Sequence, residues 1–191
     1  MPEIPRCRYS RRFHGYLTFH EWRLPALLAA EYFKRGAVSM TEVVFLHHVD
    51  NELLKFAVIV SRYQGKWVLC RRKGAASYEV PGGYRKETEN IEETARRELY
   101  EETGAARFRM TPVGLFSIRK DAGYQIFGML YFAEVQEFFA LPNFEMDKIE
   151  FFTQMPGNLT FPDVDPALIR KVAEVNGMES PELGKRGIEG K

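Results

Sequence analysis

Residues 82–105 read Gly82-Gly83-Tyr84-Arg85-Lys86-Glu87-Thr88-Glu89-Asn90-Ile91-Glu92-Glu93-Thr94-Ala95-Arg96-Arg97-Glu98-Leu99-Tyr100-Glu101-Glu102-Thr103-Gly104-Ala105. A glycine turn runs here into a helix that carries three carboxylates in its last turns. The spacing predicts a helix over about 91–103. Asn90 with Glu93 three residues on makes a capping-box start, and Glu92 and Glu93 suit the positive end of the helix dipole. Ile91, Ala95 and Leu99 form the apolar stripe, and Gly104 offers the left-handed residue that ends a helix. Glu98 lies beside Glu101 and Glu102, because residues three and four apart are helical neighbours. Those like charges repel, and the C-terminal dipole disfavours them further. A sequence with only a fold to maintain gains nothing from this arrangement. A divalent cation between the carboxylates would reverse the sign of the local electrostatics.

The flanking chain reads as alternating strands and turns. Thr41–His48 and Leu54–Arg62 are strand-like. Tyr63-Gln64-Gly65-Lys66 turns into a strand over Trp67–Arg71, which makes a hairpin. Ser77–Val80 reads as a short strand leading into Pro81-Gly82. Val113–Arg119 and Tyr124–Val135 read as strands around a turn at Lys120-Asp121-Ala122-Gly123. The second is apolar on both alternating sets, Ile126, Leu130 and Phe132 against Phe127, Met129 and Tyr131, so it predicts a sheet covered on both faces. Ile149–Phe152 is a further short strand. Asp165-Pro166 reads as an N-cap with proline at the first helical position, followed by a helix face of Leu168, Ile169, Val172 and Val175. This order predicts an α/β protein with a mixed central sheet and helices on both sides.

The 191-residue chain is long enough for one domain with a full core plus extensions, and its net charge of +1 gives no global pointer to nucleic acid or membrane. No stretch is long enough to span a bilayer. Cys7 and Cys70 have no metal spacing, and Cys70 lies in an apolar run as a small core residue. This cysteine usage fits a reducing cytoplasm.

Three regions divide the chain. Residues 1–39 are basic, with aromatics interleaved at Tyr9, Phe13, Tyr16, Phe19 and Trp22. They read either as a nucleic-acid-binding arm or targeting extension, or as a loosely attached extension ahead of a start at Met40. The second reading is favoured, because Met40 directly precedes the first strand-like run. Leu24–Ala30, broken by Pro25, reads as part of an amphipathic helix rather than a signal peptide. Residues 40–176 form the main domain, and 177–191 are a polar, glycine-rich tail expected to be flexible. His47 and His48 are adjacent, so on a strand they face opposite ways and cannot form one metal site.

The glycine–glutamate stretch resembles the signature of the Nudix hydrolases, Gly-x5-Glu-x7-Arg-Glu-(aliphatic)-x-Glu-Glu-x-Gly-(aliphatic). Gly83, Glu89, Arg97, Glu98, Leu99, Glu101, Glu102 and Gly104 fall on its positions without insertion or deletion. Ala105 stands where a larger aliphatic is usual. Many members begin Gly-Gly-x-x-Glu-x-Gly-Glu, and this chain has Lys86 and Thr88 at two of those points. The resemblance covers roughly residues 40–176. Within it the core looks most like the bacterial branch that hydrolyses oxidised nucleoside triphosphates, through the run 56–83 and the segment Leu159-Thr160-Phe161-Pro162.

The resemblance implies a Nudix-type α/β/α sandwich and hydrolysis of a diphosphate linkage in a nucleotide, with Mg²⁺ or Mn²⁺ as cofactor. Glu98, Glu101 and Glu102 would hold the metal, with the backbone of Gly82. Hard oxygen donors of this kind suit Mg²⁺, which keeps several waters. Arg97 would orient the carboxylates through its fixed fork, and Glu89 would act behind it. The proton of the attacking water would go to Glu102 or to Glu145, a carboxylate on a later loop. Glu101, Glu102, Arg97 and Glu145 are thus the catalytic candidates. Gly83, Tyr84, Arg85, Tyr78 and Arg72 are the substrate-binding candidates, through close backbone approach, stacking or phosphate contact. The favoured substrate is an oxidised purine triphosphate of the 8-oxo-dGTP type, giving the monophosphate. Alternatives are a nucleotide sugar, ADP-ribose or an RNA 5′ end, or a silent domain that senses a nucleotide or binds a partner. A small nucleotide is the expected partner and a homodimer is a further expectation. No membrane is expected, nor nucleic acid apart from RNA 5′ ends.

Overall fold

A computed structural model describes residues 41–120 and 124–182. The expectations for residues 1–39, for the tip of the turn at 121–123 and for most of the tail fall outside the described residues.

Seven strands form one mixed sheet. They are β1 (Glu42–Leu46), β2 (Leu54–Tyr63), β3 (Lys66–Arg72), β4 (Gly82–Tyr84), β5 (Ala105–Lys120), β6 (Tyr124–Phe138) and β7 (Met146–Phe152). Among the described residues the α-helices are α1 (Ile91–Thr103) and α2 (Asp165–Val175). The spatial order is β1-β5-β6-β2-β3-β7, with β4 attached to β2. β2 and β6 run parallel and every other pairing is antiparallel. One edge of β2 is shared: Phe56–Val58 pairs with β4, and Ser61–Tyr63 pairs with β3. The glycine turn is therefore wedged between β2 and β3, the position that sets up the site.

Both faces of the sheet are covered. On one, Ala95 and Leu99 of α1 pack with Ala57, Ile59, Tyr131, Ala133 and Val135. On the other, Leu168, Ile169 and Val172 of α2 join Phe56, Val60, Trp67, Leu69, Phe116 and Leu130. The two alternating sets of β6 divide between these cores, as a doubly buried strand requires. The result is an α/β/α sandwich with a mixed sheet.

Four local expectations are corrected. The short strand near the turn is Gly82–Tyr84, whereas Tyr78 and Glu79 make only isolated bridges, to Leu159 and Cys70. β5 begins at Ala105 rather than Val113, running through Pro112. Pro112 lies where β1 no longer covers β5, beside a register shift, so no ladder partner needs its missing N–H. Val164, not Asp165, caps α2, and Asp165 is its buried first residue. The Asp165 carboxylate instead accepts from the Val80 amide at 3.4 Å. His47 and His48 lie beyond the end of β1 and are exposed.

Candidate active site

Helix α1 is built as its sequence dictates. The Asn90 side chain accepts from the amides of Glu92 and Glu93, and the Glu93 carboxylate returns the contact to the Asn90 amide at 2.8 Å. Gly104 closes the helix at φ +74°, where a Cβ would sit 2.9 Å from the Phe139 carbonyl oxygen. The two caps fix the rotation of α1, and that rotation aims Glu98 and Glu102 at the glycine turn.

Gly83 faces α1 directly. A Cβ at this position would overlap the Glu98 carboxylate, so the missing side chain is the space that carboxylate occupies. One residue earlier, the Gly82 amide donates to Glu102 Oε2 at 2.9 Å. The turn and the last turns of α1 are thus joined twice, once by a hydrogen bond and once by a steric cradle.

Arg97 is the positive centre of the cluster. Its Nε and Nη2 donate to the two oxygens of Glu89 at 2.6 and 2.9 Å, and Nη1 donates to Glu98 at 2.5 Å and to Glu101 at 3.2 Å. Nη2 also donates to the Tyr84 carbonyl at 3.0 Å. Burial opposes the guanidinium charge, but the hydrogen bonds it donates to Glu89 and Glu98 outweigh it and raise its pKa. The same bonds hold Glu89 down at about 2. Lys86 adds a second cation 3.9 Å from Glu101.

Two carboxylates carry an unfavourable charge. Burial raises the pKa of Glu98 despite its bond to Arg97. Burial pushes Glu102 up further; the Gly82 amide offsets part of this, while the nearby charges of Glu98 and Glu79 add to it. The Cys70 thiol lies 3.9 Å from Glu102 Oε2 and 3.4 Å from the Glu79 carbonyl, and burial holds it protonated. It is therefore a weak donor here.

A divalent cation fits this donor set. The groups facing the glycine turn are hard oxygens, two of them disfavoured as bare charges, and Gly83 lets the Glu98 carboxylate lie directly against the turn. Among the described residues, however, no three acidic, histidine or cysteine side chains stand ready to hold an ion. Glu98 and Glu101 are turned to Arg97 and Glu102 to the Gly82 amide.

The remaining candidates are spread around this centre. Arg72 bridges two carboxylates, Glu79 at 3.1 Å and Glu145 in closer contact. Glu145 thus approaches Arg72 from the loop between β6 and β7. Tyr84 projects to the opposite sheet face from Gly83, where its ring tilts against Phe56 at 6.2 Å and is 45% exposed. Arg85 donates to the Asn51 carbonyl at 2.9 Å. Tyr78 is not brought to the carboxylates: it packs in the α2-side core, and its hydroxyl bonds to Glu150.

Sequence reasoning missed Glu79, which is buried at 5% exposure. Its cue was a charge set directly before Val80-Pro81-Gly82, and only the bridge to Cys70 reveals which way it points.

The pattern of the NUDIX domain family matches residues 52–155, more than half of the chain. A Bacillus subtilis protein named "Putative 8-oxo-dGTP diphosphatase YtkD" is 31% identical over 107 residues, 56% of this chain and 66% of its own length. The match thus spans slightly under two thirds of that relative. The crystal structure of the Bacillus subtilis pyrophosphohydrolase BsRppH superposes with a TM-score of 0.61 at 25% identity, covering 74% of this chain and 94% of that one. A NUDIX hydrolase from Nitrosomonas europaea shares the fold at a TM-score of 0.53 and 18% identity, over 67% of this chain and 93% of its own. With its signature carboxylates gathered between a glycine turn and α1, and with the family pattern matched over most of the sheet, this chain belongs to the NUDIX domain family.

Proposed function

We propose that the protein hydrolyses a diphosphate linkage in a nucleotide, with an oxidised purine nucleoside triphosphate of the 8-oxo-dGTP type as preferred substrate and the monophosphate as product. The observation that carries the reading is the cradle at Gly83. A glycine whose missing side chain admits the partly buried Glu98 carboxylate, beside the buried Glu102 carboxylate held by the preceding amide, places charge where a fold alone would avoid it. The substrate preference rests on the likeness to the Bacillus subtilis relative and its printed name.

Glu98, Glu101 and Glu102, with the backbone of Gly82, would hold Mg²⁺ or Mn²⁺. When bound, the cation offsets diphosphate charge and acidifies the attacking water. The chain's own groups do the rest. Arg97 keeps Glu98 and Glu101 oriented while Glu89 anchors it from behind. Glu102, whose Oε2 lies against the Gly82 amide, would accept the water proton. Glu145 is the competing base, held at the rim by Arg72. Arg72, Arg85 and the open backbone of Gly83 supply the phosphate side. Tyr84 offers a stacking surface on the other face.

The test is a hydrolysis screen of the whole protein with Mg²⁺ and Mn²⁺ against normal and oxidised nucleoside triphosphates, ADP-ribose, nucleotide sugars and triphosphorylated RNA, alongside Glu101→Gln. Metal-dependent turnover that disappears in the variant supports the enzyme. Preference for another compound moves the substrate. Folded, metal-binding protein with no turnover on any of them returns the chain to a sensing or partner-binding role.

A further inference from the structure

We infer that Glu79 is a positioning residue that aims Arg72 at Glu145 and so latches the loop 139–145 to the glycine turn. Glu79 is held rigidly: its amide donates to the Cys70 carbonyl at 2.9 Å, and its carbonyl accepts from the Cys70 amide at 3.0 Å. Its backbone is pinned between β3 and the turn, and its buried carboxylate lies against Arg72. Arg72 Nη2 meets Glu79 Oε1 at 3.1 Å, and Nη1 of the same fork meets Glu145. Burial opposes the Arg72 charge, but the Glu79 charge and the Glu145 hydrogen bond outweigh it.

The loop is tied at both ends. At one, the Phe139 amide donates to the Gly104 carbonyl at 2.8 Å, just beyond α1. At the other, the Lys73 amide donates to the Glu145 carbonyl at 2.9 Å, and Lys73 Nζ reaches Asn143 Oδ1 and the Phe144 carbonyl at 2.7 and 2.6 Å. The Lys73 side-chain contacts are exposed, as is the Arg72–Glu145 contact, whereas the Arg72–Glu79 pair is partly buried. The Glu79–Arg72–Glu145 chain is the one that runs into the interior. It connects the loop to the residue three places before Gly82, so loop and turn move together. A guanidinium can hold two carboxylates on separate nitrogens at fixed angles, and an ammonium cannot reproduce that fork.

The catalytic consequence, that Glu145 is delivered to the rim of the site, rests on the hydrolase reading above; the latch itself does not. The experiment is hydrogen–deuterium exchange on the whole protein, comparing wild type with Glu79→Gln, Glu79→Asp and Arg72→Lys. In Glu79→Gln and Arg72→Lys the loop 139–145 and the Lys73 amide exchange faster by about 2- to 10-fold, the range for losing a charged contact that is partly open to solvent. Glu79→Asp restores part of the protection. Peptides from β2 and β6 keep wild-type exchange in all three, which separates release of the loop from general loosening. If Glu79→Gln loosens β2 and β6 as well, Arg72→Lys decides alone, because its side chain is half exposed and the core does not depend on it. Wild-type exchange of the loop and of Lys73 in Arg72→Lys, with an intact core, overturns the latch. In an active enzyme the released loop lowers kcat with KM little changed. Should wild type hydrolyse nothing, the hydrolase reading falls and the exchange result still stands.

Discussion

The Glu98 carboxylate occupies the space where any residue but glycine at position 83 would place its Cβ. Turn and helix are therefore matched to each other at one atom. In Gly83→Ala, Glu98 must swing away, which breaks its bond to Arg97 and displaces a proposed cation ligand. We expect kcat/KM to fall about 30- to 300-fold, on the order of 2–3.4 kcal/mol of lost transition-state stabilisation. Mn²⁺ affinity, read by paramagnetic resonance, should weaken in parallel. Wild-type affinity and turnover in this variant would show that Glu98 is dispensable.

Lys86 stands beside the carboxylate cluster, its ammonium 3.9 Å from Glu101. It also lowers the cost of charge on Glu98. A resident cation at this point competes with an incoming one. Lys86→Glu should tighten Mn²⁺ binding by about 3- to 10-fold, a modest effect because the ammonium is half exposed. Isothermal titration checks it, and unchanged or weaker binding would place Lys86 outside the charge balance of the site.

How far the sequence could be read depends on the range of the interactions involved. Helix α1 was legible to the residue, because its caps at Asn90 and Gly104 are local chemistry with fixed spacing. The two-sided burial of β6 was legible from its doubly apolar pattern. Glu79 and the true position of β4 were not. Both depend on how the turn wedges between β2 and β3, a pairing between distant segments that no window of sequence contains. Asp165 looked like a cap because Asp-Pro favours one, and tertiary burial against Val80 overrode it.

Gly128 marks the same kind of long-range fit in the core. It lies in the middle of β6, and the Phe56 ring rests over it: a Cβ there would come within 2.6 Å of Phe56 Cζ. Phe56 in turn meets Phe116 edge-on at 5.2 Å. Gly128→Ala should destabilise by about 1–3 kcal/mol through overpacking. Urea unfolding measures it, and a companion Phe56→Leu should recover part of the loss by freeing the space. A neutral Gly128→Ala would mean that the ring shifts at no cost.

Two carboxylates should give opposite pH dependences of stability. Glu89 is held at about 2 by its hydrogen bonds from Arg97, below the ordinary value of about 4.3. Its contribution is present above pH 4.3 and lost as pH falls through 2. Asp165 is the reverse: burial raises it well above the usual aspartate value, the Val80 amide offsetting only part and the Glu79 charge adding to it. The folded state favours its proton, so that advantage is full below the unfolded pKa of about 3.9 and is lost as pH rises through the folded one. Glu89→Gln should therefore lower Tm at pH 7 and converge on wild type near pH 2, with a loss at neutral pH of about 1–3 kcal/mol. Asp165→Asn should match wild type at low pH and gain on it steadily as pH rises, by about 1.4 kcal/mol for each unit of upward shift removed. Thermal unfolding from pH 2 to 9 tests both signs, and an Asp165→Asn gap that shrinks with rising pH would show that this carboxylate is ionised and compensated in the folded protein.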